Sequence, residues 1–370
     1  MSEEKKKILI GSLQFSPIYK SHCCALGSLA EKNGFDVRYL FSGEYEWMLP
    51  DSLKKKTVFI GRTRDIATAV LDGINPLNYF QIRRFIEKEQ VRFIYMYNFH
   101  PFFNRFVASV AKKYGITYIQ HIHEPHYENR AVYGGLMQYW LSLFESFQGN
   151  LLTRTDIAIL SSQISRELFK KRYPGYMGRI VIAPLIYEDL EPELPKREEP
   201  EYITLVGPPV PAKGPEIFLR IAAHAQKNRP HLRFQIISRS PIKDPVFSKY
   251  HNLRIVSRDR IPDEEMADLL RKSIAVITPY KAATQSSVVI MANMVGTPVV
   301  SSDIGGLPEF VYHKVTGFLV NLDAPGETWI EGIEFIIAHR EEMSEACREY
   351  FVKNFSVPGW QNYFDEIFFS

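Results

Sequence analysis

Residues 274–320 read IAVITPYKAATQSSVVIMANMVGTPVVSSDIGGLPEFVYHKVTGFLV and alternate apolar runs with short polar or glycine-containing segments. The β-branched run Ile274–Thr278 is typical of a buried strand. Polar residues 284–287 then precede an apolar helix, Val288–Met294, and a second strand follows at Val299–Ser301. A helix that begins after a strand binds anions well, because its free N–H groups and its dipole point towards the ligand. This stretch therefore predicts an α/β fold that holds a phosphate-bearing ligand.

The rest of the chain continues this alternation in two series. Parallel sheets require such strand–helix–strand units, so the pattern predicts two Rossmann-like, doubly wound domains. The predicted strands are Lys6–Gly11, Phe35–Phe41, Val91–Tyr97, Ile116–His123, Ile157–Ser161, Tyr202–Gly207, Leu232–Ser238 and Leu253–Ser257, and the helices Ser21–Lys32, Gln81–Glu89, Phe103–Lys113 and Ser165–Arg172.

The two series are joined by a segment with three prolines and a run of charges, which is typical of a linker. We therefore place a first domain at 1–187, a linker at 188–200 and a second domain at 201–353. The last segment, 354–370, shows aromatic residues at helical spacing and predicts a helix.

The segment GTPVVSSDIGGLPEFV followed by TGFLV resembles the donor-domain signature of the retaining GT-B glycosyltransferases of family 4. The resemblance implies sugar transfer from a nucleotide-diphosphate sugar to an acceptor. It also implies two domains with a cleft between them, the second for the donor and the first for the acceptor. In the resembled fold the C-terminal helix, here 354–370, packs back on the first domain. Packing on the second domain is the alternative.

Composition limits the class of protein. The chain has 370 residues, 45% of them hydrophobic and 24% charged, and no apolar run approaches the ~20 residues of a membrane span. The start, MSEEKKKILIG, is typical of a first strand rather than a signal peptide. Three cysteines without metal-type spacing suit a reducing compartment, so the sequence predicts a cytoplasmic protein.

Charge is unevenly distributed along the chain. Residues 1–187 contain 25 Lys and Arg against 16 Asp and Glu, whereas the remainder is net acidic. The basic half predicts an anionic partner, either a phospholipid surface on the inner membrane face or a phosphorylated acceptor. A solvated basic face is the alternative, and the scattered charges do not suggest nucleic acid. Phe102, Phe103 and Phe106, with LMQYWLSLF after Gly135, predict either a lipid-facing patch or an ordinary core helix.

The best candidate cation for the diphosphate is Lys213, in VGPPVPAKGPEIFL. This segment resembles the family's Gly-Arg, short loop and Lys-Gly, which implies that Gly207, Lys213 and Gly214 line the diphosphate. Pro208 stands where the family has arginine, so Arg258 is our candidate substitute. Arg239 and Arg260 are alternatives, and a solvated loop lysine is the structural alternative for Lys213.

Two glutamates of the resembled family are also absent, since their positions hold Ala283 and Met291. We predict that nearby side chains with neutral hydrogen-bond donors and acceptors take the place of the two glutamates. We place Gln285 in the transfer step with Lys213, and expect the helix start to cradle the diphosphate. The donor-binding candidates of this segment are Thr284, Gln285, Ser286, Ser287 and Val288. The alternative is a plain helix cap.

In the first domain, YIQHIHEPHYEN ends a strand. The resembled family often carries a histidine there, and His123 followed by Glu124 matches best. We expect His123 to bond the donor sugar or the acceptor, or to act as a base. The alternatives are structural histidines and a metal site of His121, His123, His126 and Glu124. After the first strand, Lys20 and His22 are expected to meet an acceptor phosphate.

These observations favour a retaining glycosyltransferase whose acceptor is lipid-linked or a polysaccharide. The chain lacks Asp-x-Asp and GxGxxG, so we expect a metal-independent enzyme whose donor is a co-substrate and which needs no further cofactor. The missing arginine and glutamates keep open a non-catalytic glycan-binding or partner protein. A sugar-nucleotide epimerase and a metal-dependent hydrolase are further alternatives, since fold alone does not settle chemistry.

Overall fold

The computed structural model describes residues 6–128, 130–133, 135, 137–193, 198–242, 244–259 and 261–370. The chain divides into two compact units. The first contains residues up to Tyr127, then Tyr139–Glu188 and Ser356–Ser370, and the second contains Glu128–Gln138 and Asp189–Phe355. The predicted α/β class with two parallel sheets is confirmed.

Within the described residues the first unit has a sheet of seven parallel strands in the order β3-β2-β1-β4-β5-β6-β7. The strands are β1 Lys7–Ser12, β2 Asp36–Ser42, β3 Thr57–Ile60, β4 Phe93–Met96, β5 Thr117–Ile122, β6 Ile157–Leu160 and β7 Arg179–Ile182. The helices are α1 Pro17–Lys32, α2 Asp51–Lys54, α3 Ile66–Ile74, α4 Pro76–Glu89, α5 Phe103–Lys113, α6 Met137–Leu152, α7 Gln163–Arg172 and, at the end of the chain, α13 Gln361–Phe369.

The second unit repeats the plan with six parallel strands in the order β10-β9-β8-β11-β12-β13, again counted over the described part of the chain. The strands are β8 Tyr202–Val206, β9 Arg233–Ser238, β10 Leu253–Ser257, β11 Ser273–Thr278, β12 Val299–Ser302 and β13 Gly317–Val320. The helices are α8 Pro215–Asn228, α9 Asp263–Arg271, α10 Ser287–Met294, α11 Gly326–Ala338 and α12 Arg340–Asn354.

The helices pack closely on the sheets, and one glycine shows how closely. Gly27 of α1 faces Tyr39 of β2, and a Cβ added at Gly27 would lie 1.9 Å from the tyrosine hydroxyl. A larger residue would push α1 off the sheet, because cores are packed at crystal density. The first unit thus buries the central strands completely between its helices, as parallel sheets require.

Several predicted elements differ from the structure. Edge strands β3 and β7 were missed because each is only four residues long and has one fully buried residue, so its short apolar run gives a weak signal. Helix α1 begins at Pro17 rather than Ser21, since proline is well suited to a first helical turn. The predicted helix over 354–370 is interrupted: α12 ends at Asn354 and α13 begins at Gln361, after Pro358. Residues 128–138 group with the second unit, not with the predicted 1–187.

Helix α13 is held to the first unit by aromatic packing and by several hydrogen bonds. Trp360, which precedes it, is buried and donates its indole N–H to the Pro184 carbonyl at 2.9 Å. Arg179 of β7 donates to the Ile367 carbonyl at 2.6 Å. Phe364 also packs on Phe35, with the ring centroids 5.8 Å apart.

No helix in the described part of the chain is long and apolar enough to cross a membrane. The three cysteines, Cys23, Cys24 and Cys347, are all buried and are not joined in disulfides.

We predict that Trp360→Ala destabilises the first unit by about 3–5 kcal/mol, because it removes a buried indole and leaves the Pro184 carbonyl without its partner. Chemical denaturation followed by circular dichroism measures the loss. Trp47→Ala is the matched control, since Trp47 is 40% exposed and should change the free energy of unfolding by less than about 1 kcal/mol. Equal losses in the two variants would contradict this anchoring role.

Candidate functional site

The candidate site of the second unit lies where the strand order reverses. Strand β8 pairs with β9 on one side and with β11 on the other. The two connections that follow β8 and β11 therefore leave the sheet in opposite directions. Open α/β sheets bind their ligands at such a point, outside the carboxyl ends of the strands. Lys213 follows β8, and residues 284–288 follow β11, so both predicted segments belong to this edge of the sheet.

Two glycines allow the loop after β8 to fold tightly. Gly207 has φ +100°, and a Cβ there would lie 2.0 Å from the Lys213 ammonium nitrogen. Gly214 has φ +60°, and a Cβ there would lie 2.0 Å from the Pro279 carbonyl oxygen of the loop after β11. The amide of Lys281 also donates to the Ala212 carbonyl at 2.8 Å. The two loops are thus joined directly, and glycine is required at both positions.

Lys213 is half-buried by this arrangement. Its ammonium nitrogen donates to the Val206 carbonyl at 3.1 Å and lies 5.7 Å from the centroid of the Tyr280 ring. Burial lowers the pKa of Lys213 from 10.5 to about 8, because water is excluded from the charge. No carboxylate of a described residue forms an ion pair with it. The site therefore contains a cation that an anionic ligand would stabilise.

Helix α10 begins beside this lysine. Ser286 caps the helix, since its hydroxyl accepts from the Val289 amide at 3.4 Å, and its side chain also bonds the Tyr280 hydroxyl. Ser287 and Val288 form the first turn, where backbone N–H groups point out of the helix end. This is the geometry of an anion-binding helix start.

Two polar oxygens near this helix start lack hydrogen-bond partners among the described residues. They are Oε1 of Gln285 and Oγ1 of Thr278, both buried. A buried oxygen without a partner costs about 1–3 kcal/mol, so a ligand that donates to it would recover that cost. Thr278 and Tyr280 were not among the predicted site residues. Their position at the end of β11 could have indicated them.

The two described arginine candidates follow different strands of the second sheet. Arg258 follows β10, two strands away from β8, where it is exposed and ion-paired with Glu265. The structure therefore does not bring it together with Lys213. Arg239 follows β9, next to β8, and pairs with Asp263. Arg260 lies outside the described residues. Thr284, the remaining predicted donor residue, is buried in the loop before α10.

In the first unit His123 follows β5 at the carboxyl edge. Its Nε2 lies 2.7 Å from the Tyr97 carbonyl oxygen, and its ring stacks on Tyr19 with centroids 5.0 Å apart. Nε2 must donate in this bond, because the carbonyl can only accept. Burial lowers the pKa of His123 to about 4. The imidazole is therefore neutral at pH 7 and suits hydrogen bonding better than proton donation.

The alternative metal site is not supported by the geometry of the histidines. His121 uses both ring nitrogens, at 3.0 Å from the Tyr95 hydroxyl and at 2.9 Å from Ser161 Oγ. His126 lies 3.1 Å from Glu145, which also accepts from Arg172. Over the described ranges, no group of three His, Cys, Asp or Glu side chains is placed to hold a metal ion.

The predicted acceptor-side residues have different environments. Lys20 and His22 lie in α1, not in a loop, because the helix begins earlier than predicted. His22 is fully buried, with Nδ1 at 2.7 Å from the Ile186 carbonyl oxygen, so it packs in the core rather than facing a phosphate. Lys20 and Glu124 are partly exposed. Burial, together with the negative charge of Glu124, raises the pKa of Tyr19 to about 12.

A separate cavity opens at the opposite edge of the second sheet. It has a volume of about 490 Å³ and is lined among others by Tyr202, Arg233 and Arg254, at or near the amino ends of their strands. Ligands of open α/β sheets bind at the carboxyl ends, so we do not place the donor in this cavity.

Comparison with known proteins relates part of the chain to a known family. Residues 200–339 match the family described as glycosyl transferases group 1. Sucrose-phosphate synthase from Thermosynechococcus elongatus matches with a TM-score of 0.69 over 98% of each chain, at 17% identity. Over residues 200–339 the chain is thus similar to the group 1 glycosyltransferases. Its predicted GT-B fold is confirmed by this structure and by Alr3699/HepE from Anabaena in complex with UDP-glucose, with a TM-score of 0.67, 16% identity and 98% of each chain covered.

A curated protein similar to this chain is the D-inositol 3-phosphate glycosyltransferase of Segniliparus rotundus. The two are 23% identical over 214 residues, which are 53% of this chain and 47% of the relative. The chain thus spans about half the length of this relative.

The structure describes both positions at which the resembled family has glutamates, Ala283 and Met291. The Ala283 carbonyl accepts from the Gly306 amide at 2.9 Å, and a Cβ at Gly305 would lie 2.2 Å from the same oxygen. Met291 is buried within α10. Neither side chain can accept a hydrogen bond from a sugar in the way that a carboxylate would.

We predict that Gly214→Ala destabilises the protein more than Gly115→Ala. Both glycines have similar positive φ angles, +60° and +66°, so both substitutions introduce about 1–2 kcal/mol of backbone strain. Only at Gly214 does the new Cβ meet a backbone oxygen, since nothing lies within 4 Å at Gly115. The clash should add about 1–3 kcal/mol. Chemical denaturation of both variants measures the difference, and equal losses would mean that the two loops separate easily.

Proposed function

We propose that this protein is a retaining glycosyltransferase that moves a sugar from a nucleotide-diphosphate sugar to an acceptor. The observation that carries the proposal is Lys213, a half-buried lysine beside the start of α10 at the carboxyl edge of the second sheet. The family match over residues 200–339 supports the same reaction. The complex of Alr3699/HepE with UDP-glucose supports a donor of the UDP-sugar class.

The proposed chemistry requires stabilisation of the leaving diphosphate. Negative charge grows on the diphosphate while the sugar carbon becomes positive, and fixed cations and dipoles stabilise this change best. Lys213 would neutralise the diphosphate, and the N–H groups of Ser287 and Val288 would bond its oxygens. Gln285 Oε1 would accept from a hydroxyl of the donor. We propose that no metal ion takes part.

The first unit would bind the acceptor. His123, neutral at pH 7, would hold a hydroxyl of the sugar or the acceptor rather than act as an acid. Retention would follow from attack on the same face from which the diphosphate leaves, with the diphosphate accepting the proton of the attacking hydroxyl. The basic composition of residues 1–187 supports a phosphorylated, lipid-linked or polysaccharide acceptor, and we propose a cytoplasmic location.

A second candidate function is a non-catalytic glycan-binding or partner protein of the same fold. Pro208, Ala283 and Met291 favour it, because each replaces a charged family residue with a side chain that cannot bond a donor. Calorimetry with a panel of nucleotide sugars separates the two functions. Binding and turnover of one donor would support the transferase, whereas neither binding nor turnover with any donor would favour the second candidate.

We predict that donor binding depends on pH through Lys213. The diphosphate binds the charged ammonium, which is about 90% populated at pH 7 and about 10% at pH 9 if its pKa is about 8. Affinity for UDP or the identified nucleotide should therefore fall roughly tenfold from pH 7 to pH 9. Isothermal titration calorimetry in several buffers measures this and the proton taken up on binding.

Three variants control this experiment. Lys213→Arg keeps its charge over the whole range, so its affinity should not change with pH. Lys213→Ala should abolish stabilisation by the nucleotide sugar, whereas Lys227→Ala, an exposed lysine on α8, should not alter it. If the affinities of wild type and Lys213→Arg change with pH in the same way, a group other than Lys213 must titrate.

We predict opposite effects for two glutamine substitutions in the second unit. Gln285→Met removes a buried oxygen that has no partner among the described residues, so stability should not fall and should rise by up to about 1–3 kcal/mol, while kcat/KM falls about 3- to 10-fold. Gln235→Met is the matched control. It breaks bonds to Thr204 at 2.8 Å and Arg254 at 2.7 Å, and should cost about 1–3 kcal/mol of stability with little effect on transfer. If Gln285→Met left donor kinetics unchanged, Gln285 would not contact the donor.

A further inference from the structure

The first unit exposes a set of large apolar side chains that the proposed reaction does not use. Leu71, Ile74, Leu77 and Phe80 are each more than 60% exposed, and Tyr139 is 70% exposed. We call the whole set the apolar face. Its members lie on α3, α4 and α6: Ile66, Val70, Leu71, Ile74, Leu77, Phe80, Tyr139 and Leu143.

The segments that carry the apolar face, residues 66–82 and α6, contain few charged residues. Between residues 66 and 82 the sequence has a single charged residue, Asp72. Its carboxylate accepts from the Arg62 amide at 2.8 Å and from Thr63 Oγ1 at 2.5 Å, so it is used within the fold. Glu145 is likewise the single charged residue of α6, and it is fully buried. Soluble proteins rarely leave contiguous apolar helix surfaces exposed without a partner.

The three helices are joined beneath this surface by packed aromatic residues. A Cβ at Gly73 of α3 would lie 2.4 Å from the Phe102 ring, and the ring centroid of Phe102 lies 6.2 Å from that of Phe147 on α6. Phe103 is fully buried, and Phe102 and Phe106 pack against the same core. Of the two alternatives predicted for these phenylalanines, core packing is therefore correct and the lipid-facing patch is wrong. They pack beneath the apolar face, whose exposed residues lie on α3, α4 and α6.

Basic residues lie on α4 and on segments next to the helices that carry the apolar face. Residues 61–113 contain nine Lys and Arg against four Asp and Glu. Arg62, Arg84 and Arg105 are exposed, and in the described part of the chain none of them forms an ion pair. Arg62 follows β3 just before α3, Arg84 lies one turn after Phe80 on α4, and Arg105 lies in the first turn of α5.

We propose that the apolar face docks onto an anionic phospholipid surface. Apolar and aromatic side chains flanked by Arg and Lys are the composition of helices that lie in the membrane interface. The basic residues would bond lipid phosphates while the apolar side chains enter the acyl boundary. A second copy of the chain fits less well, because a two-fold interface built from this face would collect the unpaired arginines of both copies in one interface, where their like charges repel.

The experiment is sedimentation of the full chain with phosphatidylcholine vesicles, with and without phosphatidylglycerol. The wild type should bind the vesicles that contain phosphatidylglycerol and bind neutral ones much more weakly. The variant Leu71→Ser/Ile74→Ser/Leu77→Ser should lose vesicle binding on the order of tenfold or more. Met177→Ser is the control, since Met177 is 94% exposed elsewhere on the first unit and should bind like the wild type.

Charge is tested separately with Arg62→Gln and Arg84→Gln. Each should weaken binding to anionic vesicles about fivefold, while Lys227→Gln on the second unit should have no effect. Circular dichroism and nucleotide binding confirm that the variants are folded. Because vesicle binding needs no sugar donor, its result is independent of the proposed reaction.

Two outcomes would overturn the proposal. One is equal binding of the wild type to neutral and anionic vesicles, or to neither. The other is a dimer in light scattering that the triple serine variant dissociates without any change in vesicle binding, which would assign the apolar face to a second copy.

Discussion

The close approach of two backbone segments at the reversal of strand order determines the candidate donor site. The Gly214 backbone meets the Pro279 carbonyl so closely that no Cβ fits, and the Lys281 amide bonds the Ala212 carbonyl. This contact positions the Lys213 side chain between the Val206 carbonyl and the Tyr280 ring. The low pKa of Lys213 follows from that position, since the lysine loses water without gaining a carboxylate. The geometry of one loop thus produces the electrostatics of the site.

The charge of this site also depends on the three positions where the chain lacks a charged residue of the resembled family. The two family glutamates would add negative charge where we propose that a diphosphate binds, and in this chain Ala283 and Met291 add none. Among the described residues of this edge, Lys213 and the start of α10 remain to balance the ligand. The three replacements together remove one positive and two negative charges, so the site becomes one unit more positive, whereas loss of the arginine alone would make it one unit more negative. The replacements at positions 208, 283 and 291 therefore leave a net charge that favours an anionic ligand.

The sequence predicted the buried strands well and the partners of polar side chains poorly. Runs such as Ile157–Ser161 were placed correctly because a strand inside a parallel sheet is buried on both faces and is therefore apolar. Strands β3 and β7 lie at the edges and are four residues long, so their short apolar runs, Val58–Ile60 and Ile180–Ile182, did not stand out. Arg258 and His22 could not be placed, because their surroundings depend on strand order and on contacts such as that with Ile186, which local pattern does not encode.

The uneven charge of the two halves has different consequences at different distances. The second half is net acidic, yet its candidate site is locally positive, because a buried lysine and backbone dipoles act over a few ångströms while exposed carboxylates are screened by water and salt. The excess positive charge of the first half lies instead on exposed arginines, some of them around the apolar face, where a large anionic surface can contact many at once. Local electrostatics would therefore select the small donor, whereas the summed charge of residues 1–187 would orient the first unit on lipid. The two features use different residues, so each can change without loss of the other.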